Sequence, residues 1–135
     1  MKNYKIAASI LSANFACLGD DVKKSLNGGA DMIHFDVMDN HYVPNLSIGP
    51  MVCKSLRNYG IVAPIDIHLM ASPISSLIKQ FILAKANNIT FHTNATTNIL
   101  ADIIKIKQGG CYAGIAINPE ENLDIVKKFI NYIDI

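Results

Sequence analysis

The sequence lacks an excess of charge of either sign. Its 135 residues include 12 basic and 11 acidic side chains, which gives a net charge of +1 with neutral histidines. No cluster of lysine or arginine is dense enough to follow the phosphates of a nucleic acid, so this class of partner is excluded. Mixed charges of this kind form an ordinary solvated surface.

Long apolar runs are also missing. No run reaches the roughly 18 residues that a membrane span needs, although 50% of the residues are hydrophobic and the mean hydropathy is +0.25. The stretch 1–15 contains a short apolar run without a convincing signal-peptide cleavage site, and it fits a strand better. We therefore expect a cytoplasmic protein with no membrane partner.

Cysteine is scarce. Cys17, Cys53 and Cys111 stand singly, and their number and spacing fit neither a disulfide framework nor a metal cluster. We interpret them as buried or half-buried thiols. Linkers and low-complexity segments are absent too, so residues 1–135 predict a single domain with a substantial core.

The sequence is rich in short apolar runs that alternate with helical patterns. Strands that alternate with helices of 10 to 15 residues form βαβ units and a parallel sheet. Ser72-Pro73 resembles a helix start, and Gly28-Gly29, Gly60 and Gly109-Gly110 stand where helices end. The predicted strands are 5–11, 32–38, 64–70, 88–94, 111–118 and 132–135, and the predicted helices are 20–29, 48–60, 72–87, 96–110 and 121–132.

Each predicted strand has one apolar face, because successive side chains point to opposite sides. The other face carries small or polar groups and becomes more polar towards the C-terminal end. A doubly wound sheet needs apolar residues on both faces, whereas a (β/α)₈ barrel has helices outside and its active site at the C-terminal strand ends. The pattern favours the α/β barrel over an open sheet, with about five and a half βα units in this chain.

Ionisable residues occupy the inner face of the second and third strands. His34 and Asp36 are two residues apart and point the same way, and His68 is in register with them if the strands begin at similar heights. Two imidazoles and a carboxylate suit one divalent metal ion, such as Zn²⁺, Fe²⁺, Mn²⁺ or Co²⁺. The alternative without metal is a hydrogen-bonded His–Asp pair in a polar lumen.

Other inward-facing residues have two interpretations each. Met38 and Met70 occupy equivalent positions, where they either fill the lumen or form an apolar collar that keeps water from a reactive intermediate. Ser9 is either a small residue in a tight lumen or a substrate contact. His92 is interpreted as a packed lumen histidine.

Five motifs resemble those of one enzyme family. Along the chain they are AASILSANFACLG, HFDVMDNHYVPNLSIGP, DIHLM, ITFHTNA and GIAINP. In this order and spacing they closely resemble ribulose-phosphate 3-epimerase, also called pentulose-5-phosphate 3-epimerase. The resemblance implies a ribulose-phosphate-binding TIM barrel of the pentose phosphate pathway, which interconverts D-ribulose 5-phosphate and D-xylulose 5-phosphate at C3.

The resemblance also implies a role for each site residue. His34, Asp36 and His68 match protein ligands of the divalent metal ion, and Asp36 also matches a catalytic acid/base. In such a reaction a base removes the proton next to a ketone, and the metal stabilises the enediolate that results. The implied contacts to the small-molecule sugar phosphate are Ser9, His34, His68, Met38 and Met70.

The sequence departs from the family pattern in two ways. Asn40, Tyr42, Asn94 and Glu121 stand where the family usually has glycine, phenylalanine, glutamate and threonine. The chain also stops inside the expected sixth strand, before the family's second catalytic aspartate and its phosphate-binding loops. We therefore expect a C-terminally truncated barrel whose two open edges favour a homo-oligomer.

Other functions stay open. An allulose-6-phosphate 3-epimerase shares the fold and the signature motifs, whereas a 3-hexulose-6-phosphate synthase lacks the paired His-x-Asp and His-Leu-Met motifs. A non-catalytic remnant, or a half-barrel that acts as a binding module, is the alternative from another class. Catalytic turnover distinguishes these functions.

Overall fold

The computed structural model describes residues 4–135, which form one parallel sheet with helices between its strands. The strands are β1 (Ala7–Ser9), β2 (Met32–Met38), β3 (Ile65–Met70), β4 (Asn88–His92) and β5 (Tyr112–Ala116), and the α-helices are α1 (Leu18–Asn27), α2 (Pro50–Asn58), α3 (Ser75–Leu83), α4 (Ile99–Gln108) and α5 (Asp124–Lys127). Their spatial order is β1-β2-β3-β4-β5. This order is that of consecutive βα units in a TIM barrel, and the predicted fold class is confirmed as a partial barrel.

The helices cover one face of the sheet. Ile33, Phe35, Ile67 and Phe91 are fully buried on that face, whereas their neighbours along β2 and β3 are half-buried. The ring of Phe35 meets that of Phe81 edge to face, with the centroids 6.2 Å apart. The one-sided pattern predicted from the sequence is therefore confirmed, and it leaves the inner face to polar groups.

The three cysteines belong to this packing rather than to a site. Cys53 and Cys111 are buried, Cys17 is half-buried, and all three are free thiols. Burial raises the pKa of Cys53 to about 11, so its thiol stays protonated at neutral pH. The predicted interpretation of these residues is confirmed.

Three helices end at the predicted glycines. Gly29, Gly60 and Gly110 have φ values of +107°, +98° and +79°. A residue with a Cβ adopts this left-handed backbone poorly, which explains why glycine follows each helix. Asn98 begins α4, because its Oδ1 accepts the N–H of Ala101 at 3.0 Å.

Several predicted bounds are wrong. The first strand is limited to Ala7–Ser9, and the fourth ends at His92, where Thr93–Ala95 turn into a 3₁₀ helix. Helix α3 begins at Ser75 rather than at Ser72. Ser72 instead donates its backbone N–H to Asp39 Oδ2 at 2.8 Å, so it is held to the loop after β2, and its bond to Pro73 is cis.

The predicted sixth strand at 132–135 is also wrong within the described chain, and the helix predicted at 121–132 is limited to α5. Residues 134 and 135 do run beside β5, since both of their N–H groups donate to Ala113 O, at 2.8 and 3.2 Å. A turn closes just before them, with Tyr132 N–H donating to Phe129 O at 2.8 Å.

Arg57 ties together the N-terminal ends of β3 and β4. Its Nη1 donates to the carbonyls of Ile61 (2.8 Å) and Ala63 (2.7 Å). Its Nε and Nη2 donate to Lys85 O at 3.1 and 2.9 Å, and Nη2 also donates to Asn87 Oδ1 at 2.6 Å. The planar guanidinium therefore joins the segments that lead into two strands.

No helix within residues 4–135 is long and apolar enough to cross a membrane.

Candidate active site

The paired strands β2 and β3 bring the predicted ligands together. Asp36 lies opposite His68 in the register of these strands, and His34 lies opposite Asp66. His34 and Asp36 share the inner face, since side chains alternate along a strand. The register expected between the two strands is confirmed.

Asp36 is at the centre of this cluster. Its Oδ1 lies 3.3 Å from His34 Nε2 and 3.6 Å from His68 Nδ1. Its Oδ2 accepts a hydrogen bond from Ser9 Oγ at 2.7 Å. His34, Asp36 and His68 each offer a ligand atom within 4.8 Å of the other two. Two imidazole nitrogens and a carboxylate oxygen fit a divalent cation in chemistry and in spacing.

In both His34 and His68, the ring nitrogen that faces away from Asp36 contacts another side chain. His34 Nδ1 lies 2.8 Å from Asp66 Oδ2, and His68 Nε2 lies 2.9 Å from His92 Nε2. The sequence interpretation assigned no role to Asp66 and treated His92 as a packed residue. The alternation of side chains along β3 places Asp66 on the inner face. The sequence does not give the strand register that sets Asp66 opposite His34.

The pKa values of the two candidate histidine ligands are shifted in opposite directions. The hydrogen bond to Asp66 raises the pKa of His34, and the nearby charge of Asp36 adds to this effect. Burial lowers the pKa of His68, and the positive charge of His34 lowers it further. Only a neutral imidazole binds a metal. The shift in His68 therefore favours the neutral ring that a metal needs, whereas the shift in His34 favours the protonated ring.

Met38 and Met70 lie opposite each other in the register of β2 and β3. Both are half-buried, and they follow Asp36 and His68 by two residues on the same face. Two thioether side chains thus lie side by side at the C-terminal ends of these strands, and whether they contact a substrate stays a prediction. Their exposure leaves both of them accessible to a bound molecule.

Asp39 organises the loop that follows β2. Its Oδ1 accepts the N–H groups of His41 (2.9 Å) and Tyr42 (2.8 Å), and its Oδ2 accepts that of Ser72. Burial raises the pKa of this carboxyl, but the backbone donors together outweigh burial and lower the pKa below its ordinary value. Asn40 has φ +57°, the left-handed conformation that asparagine tolerates.

Tyr42 brings this loop over the inner face of the sheet. Its ring centroid lies 5.4 Å from that of His92, which in turn lies 5.1 Å from that of His68. The Tyr42 hydroxyl donates to Asn94 Oδ1 at 2.6 Å. A row of rings therefore connects the loop with the candidate metal ligands.

Residues 5–135 match the protein family described as the ribulose-phosphate 3 epimerase family. The chain belongs to this family. It is 53% identical over 135 residues to the ribulose-phosphate 3-epimerases of Buchnera aphidicola subsp. Acyrthosiphon pisum and of Escherichia coli strain K12. Ribulose-phosphate 3-epimerase 1 of Cupriavidus necator is 47% identical over 131 residues.

This epimerase-family chain spans only part of the length of these relatives. The alignments cover 100% of the chain but 59% of the Buchnera protein and 60% of the Escherichia coli protein. The Cupriavidus alignment covers 97% of the chain and 54% of that relative. The described residues therefore correspond to about 60% of a curated epimerase.

A solved structure confirms the fold type. Yersinia pestis DHPS with a pterine-sulfa conjugate, a TIM-barrel enzyme, superposes with a TM-score of 0.64. The match covers 95% of the epimerase-family chain and 51% of the DHPS chain, at 12% sequence identity. At this identity the likeness concerns the fold alone.

Proposed function

We propose that the chain belongs to an enzyme that interconverts D-ribulose 5-phosphate and D-xylulose 5-phosphate by moving the proton at C3. Family membership supports this reaction. The observation that carries the proposal is the convergence of two histidines on one carboxylate at the inner face. Because the chain spans about 60% of its curated relatives, the activity of the whole protein is part of the proposal.

The same cluster supports a requirement for one divalent cation, such as Zn²⁺, Fe²⁺, Mn²⁺ or Co²⁺. His34 Nε2, Asp36 Oδ1 and His68 Nδ1 would hold it, since hydrogen bonds engage the other nitrogen of each ring. When bound, the cation supplies positive charge that stabilises negative charge on the oxygens of the substrate. The chemistry of the donors admits all four metals.

Asp36 is the proposed base. Removal of a proton next to a ketone needs an ionised carboxylate within reach of the carbon. The Asp36 side chain is 14% exposed, so it is shielded from water but not sealed. The Ser9 hydroxyl donates to its Oδ2, which holds the carboxylate in place. Inversion at C3 then requires proton return to the opposite face of the carbon.

The remaining predicted contacts shape the space above Asp36. Ser9 presents a hydroxyl that a sugar phosphate can hydrogen-bond. Met38 and Met70 present apolar, adaptable surfaces that keep water away from the reacting carbon. A cytoplasmic location and a homo-oligomeric state stay predictions.

Turnover of ribulose 5-phosphate by the purified chain, with each metal added in turn, tests the proposal. Asp36→Asn is expected to abolish turnover while the fold is kept, because it removes the base and preserves the shape. Asp124→Asn is the matched control, since this exposed carboxylate lies on α5 and pairs with Lys127. Retained turnover in Asp36→Asn would show that the role assignment is wrong.

The alternatives give different results in the same assay. Faster turnover of allulose 6-phosphate than of ribulose 5-phosphate would assign the chain to the hexulose epimerases. A folded chain that binds metal but turns over neither sugar would be a binding module. Purification in the presence and absence of the metal separates this result from simple metal loss.

A further inference from the structure

We propose that Asp66 is a positioning residue that fixes the ring orientation and the tautomer of His34 for metal binding. The inference rests on the metal site of the proposed function. It concerns a side chain that touches neither of the other two ligands, and it assigns a chemical role to the polar residue that begins the inner face of β3.

The contact between the two residues is short and well supported. Asp66 Oδ2 lies 2.8 Å from His34 Nδ1, the distance of a charge-assisted hydrogen bond. The residues are direct cross-strand partners in the β2–β3 register. Ile33 and Ile65, which precede them on the two strands, are fully buried. Both partners are therefore held by strands that are anchored in the core.

This contact determines which nitrogen of His34 is available. A carboxylate only accepts hydrogen bonds, so His34 Nδ1 must carry the proton that it donates to Asp66. In the neutral ring the lone pair then lies on Nε2, the atom that faces Asp36 Oδ1 at 3.3 Å. Histidines that bind metals commonly donate their other N–H to a carboxylate in this way.

The environment of Asp66 argues against a role in packing alone. Its side chain is 15% exposed, and among residues 4–135 its Oδ1 is buried without a hydrogen-bond partner. A half-satisfied buried carboxylate is costly, and such groups call for a functional explanation. The two histidines also differ, because His68 meets the ring of His92 rather than a carboxylate. The hydrogen bond of Asp66 is therefore specific to His34, whereas its charge also acts on His68.

Nitrogen NMR of the metal-free chain tests the tautomer directly, at a pH where His34 is neutral. In the native chain we expect the proton on Nδ1. In Asp66→Ala we expect the population with the proton on Nε2 to rise, while His68 and His92 keep their tautomers. Asp66→Asn retains an acceptor without the charge, so it should keep the native tautomer to a larger extent. This variant also preserves the side-chain shape if Asp66→Ala folds poorly.

Titration of the same proteins with Co²⁺ gives a second measurement. Loss of a carboxylate that orients a ligand weakens metal binding by roughly 10- to 100-fold, and we expect this for Asp66→Ala and a smaller loss for Asp66→Asn. The number of protein ligands, from the Co²⁺ absorption spectrum, should stay the same in both. Asp124→Asn is the control and should match the native chain in both experiments.

The outcomes separate this inference from the metal site itself. An unchanged His34 tautomer and unchanged Co²⁺ affinity in folded Asp66→Ala would overturn the inference. So would the loss of one ligand from the Co²⁺ spectrum, since Asp66 would then bind the metal directly. Equal Co²⁺ affinity in the native chain and His34→Gln would overturn the proposed metal site. In that case a tautomer change in Asp66→Ala would still support the effect of Asp66 on His34.

Discussion

The hydroxyl of Tyr42 donates a 2.6 Å hydrogen bond to Asn94 Oδ1 and so joins the loop after β2 to the turn after β4. These are two of the positions at which the sequence resemblance implies other residues, phenylalanine and glutamate. The structure brings the two departures into one contact, beside the ring of His92. Phenylalanine has no hydroxyl to donate, so this link depends on the tyrosine of this chain.

Removal of the Tyr42 hydroxyl should loosen the loop and leave the ligands unchanged. Tyr42→Phe is expected to lower the free energy of unfolding by about 1 kcal/mol or less, because Asn94 is exposed. Amide exchange of residues 40–45 should accelerate, and Co²⁺ affinity should stay the same. Asn94→Ala should have the same effect, and the double variant should lose no more than either single one. Additive losses would contradict a direct contact.

Loss of one histidine ligand should affect metal binding more than folding. His68→Gln is expected to weaken Co²⁺ binding at least 10-fold in a competition titration, since two protein ligands remain. Its melting temperature without metal should change less than its metal affinity, because glutamine is similar in size to histidine and keeps polar atoms that can face His92. His41→Gln is the matched control, as His41 is exposed and outside the cluster. Equal affinities in the two variants would refute the assigned ligand.

Asp39 should make stability depend on pH in acid. The folded pKa lies below its ordinary value, so its stabilising effect is present above about pH 3.9 and is lost as the pH falls through the folded pKa. Asp39→Asn should lower the free energy of unfolding by about 1 kcal/mol at pH 7. Urea denaturation should show this gap closing in strong acid. A gap that is constant with pH would show that charge is not its origin.

Arg57 should contribute to stability without affecting the site. Arg57→Lys loses the planar fork that binds three carbonyls and Asn87, and we expect a loss of about 2 kcal/mol in the free energy of unfolding. Lys54→Ala, at an exposed position of the same helix, serves as the control. Unfolding in urea measures the change, and Co²⁺ affinity should match the native chain. Equal unfolding midpoints for Arg57→Lys and Lys54→Ala would contradict this role.

The alternation of side chains predicted which face of the sheet is the inner one. It could not predict the contacts between side chains on neighbouring strands. The period of two placed His34, Asp36 and His68 on one side from the sequence alone. The bond between Asp66 and His34 depends on the register of β2 against β3, which the packing of the whole sheet determines. Local patterns therefore located the candidate ligands but not the side chains that contact them.

The errors in element bounds have the same origin. Ser72-Pro73 has the residues of a helix start, yet the Ser72 N–H is engaged by Asp39 from a distant loop. The run at 132–135 is apolar enough for a strand, but a turn lies at Phe129–Tyr132 and only residues 134 and 135 run beside β5. A tertiary contact in the first case and a local turn in the second outweighed the predicted propensity.

The Arg57 hydrogen bonds lie before β3 and β4, at the opposite ends of these strands from Met70 and Asn94. The anchoring hydrogen bonds and the candidate site thus lie at opposite ends of the strands. Substitutions at the candidate site therefore leave the Arg57 hydrogen bonds intact. A library that varies Met38, Met70 and Asn94 can therefore alter the candidate site while the Arg57 hydrogen bonds continue to anchor the strands. In directed evolution, the residues that anchor the strands and the residues around the candidate site can therefore be varied separately.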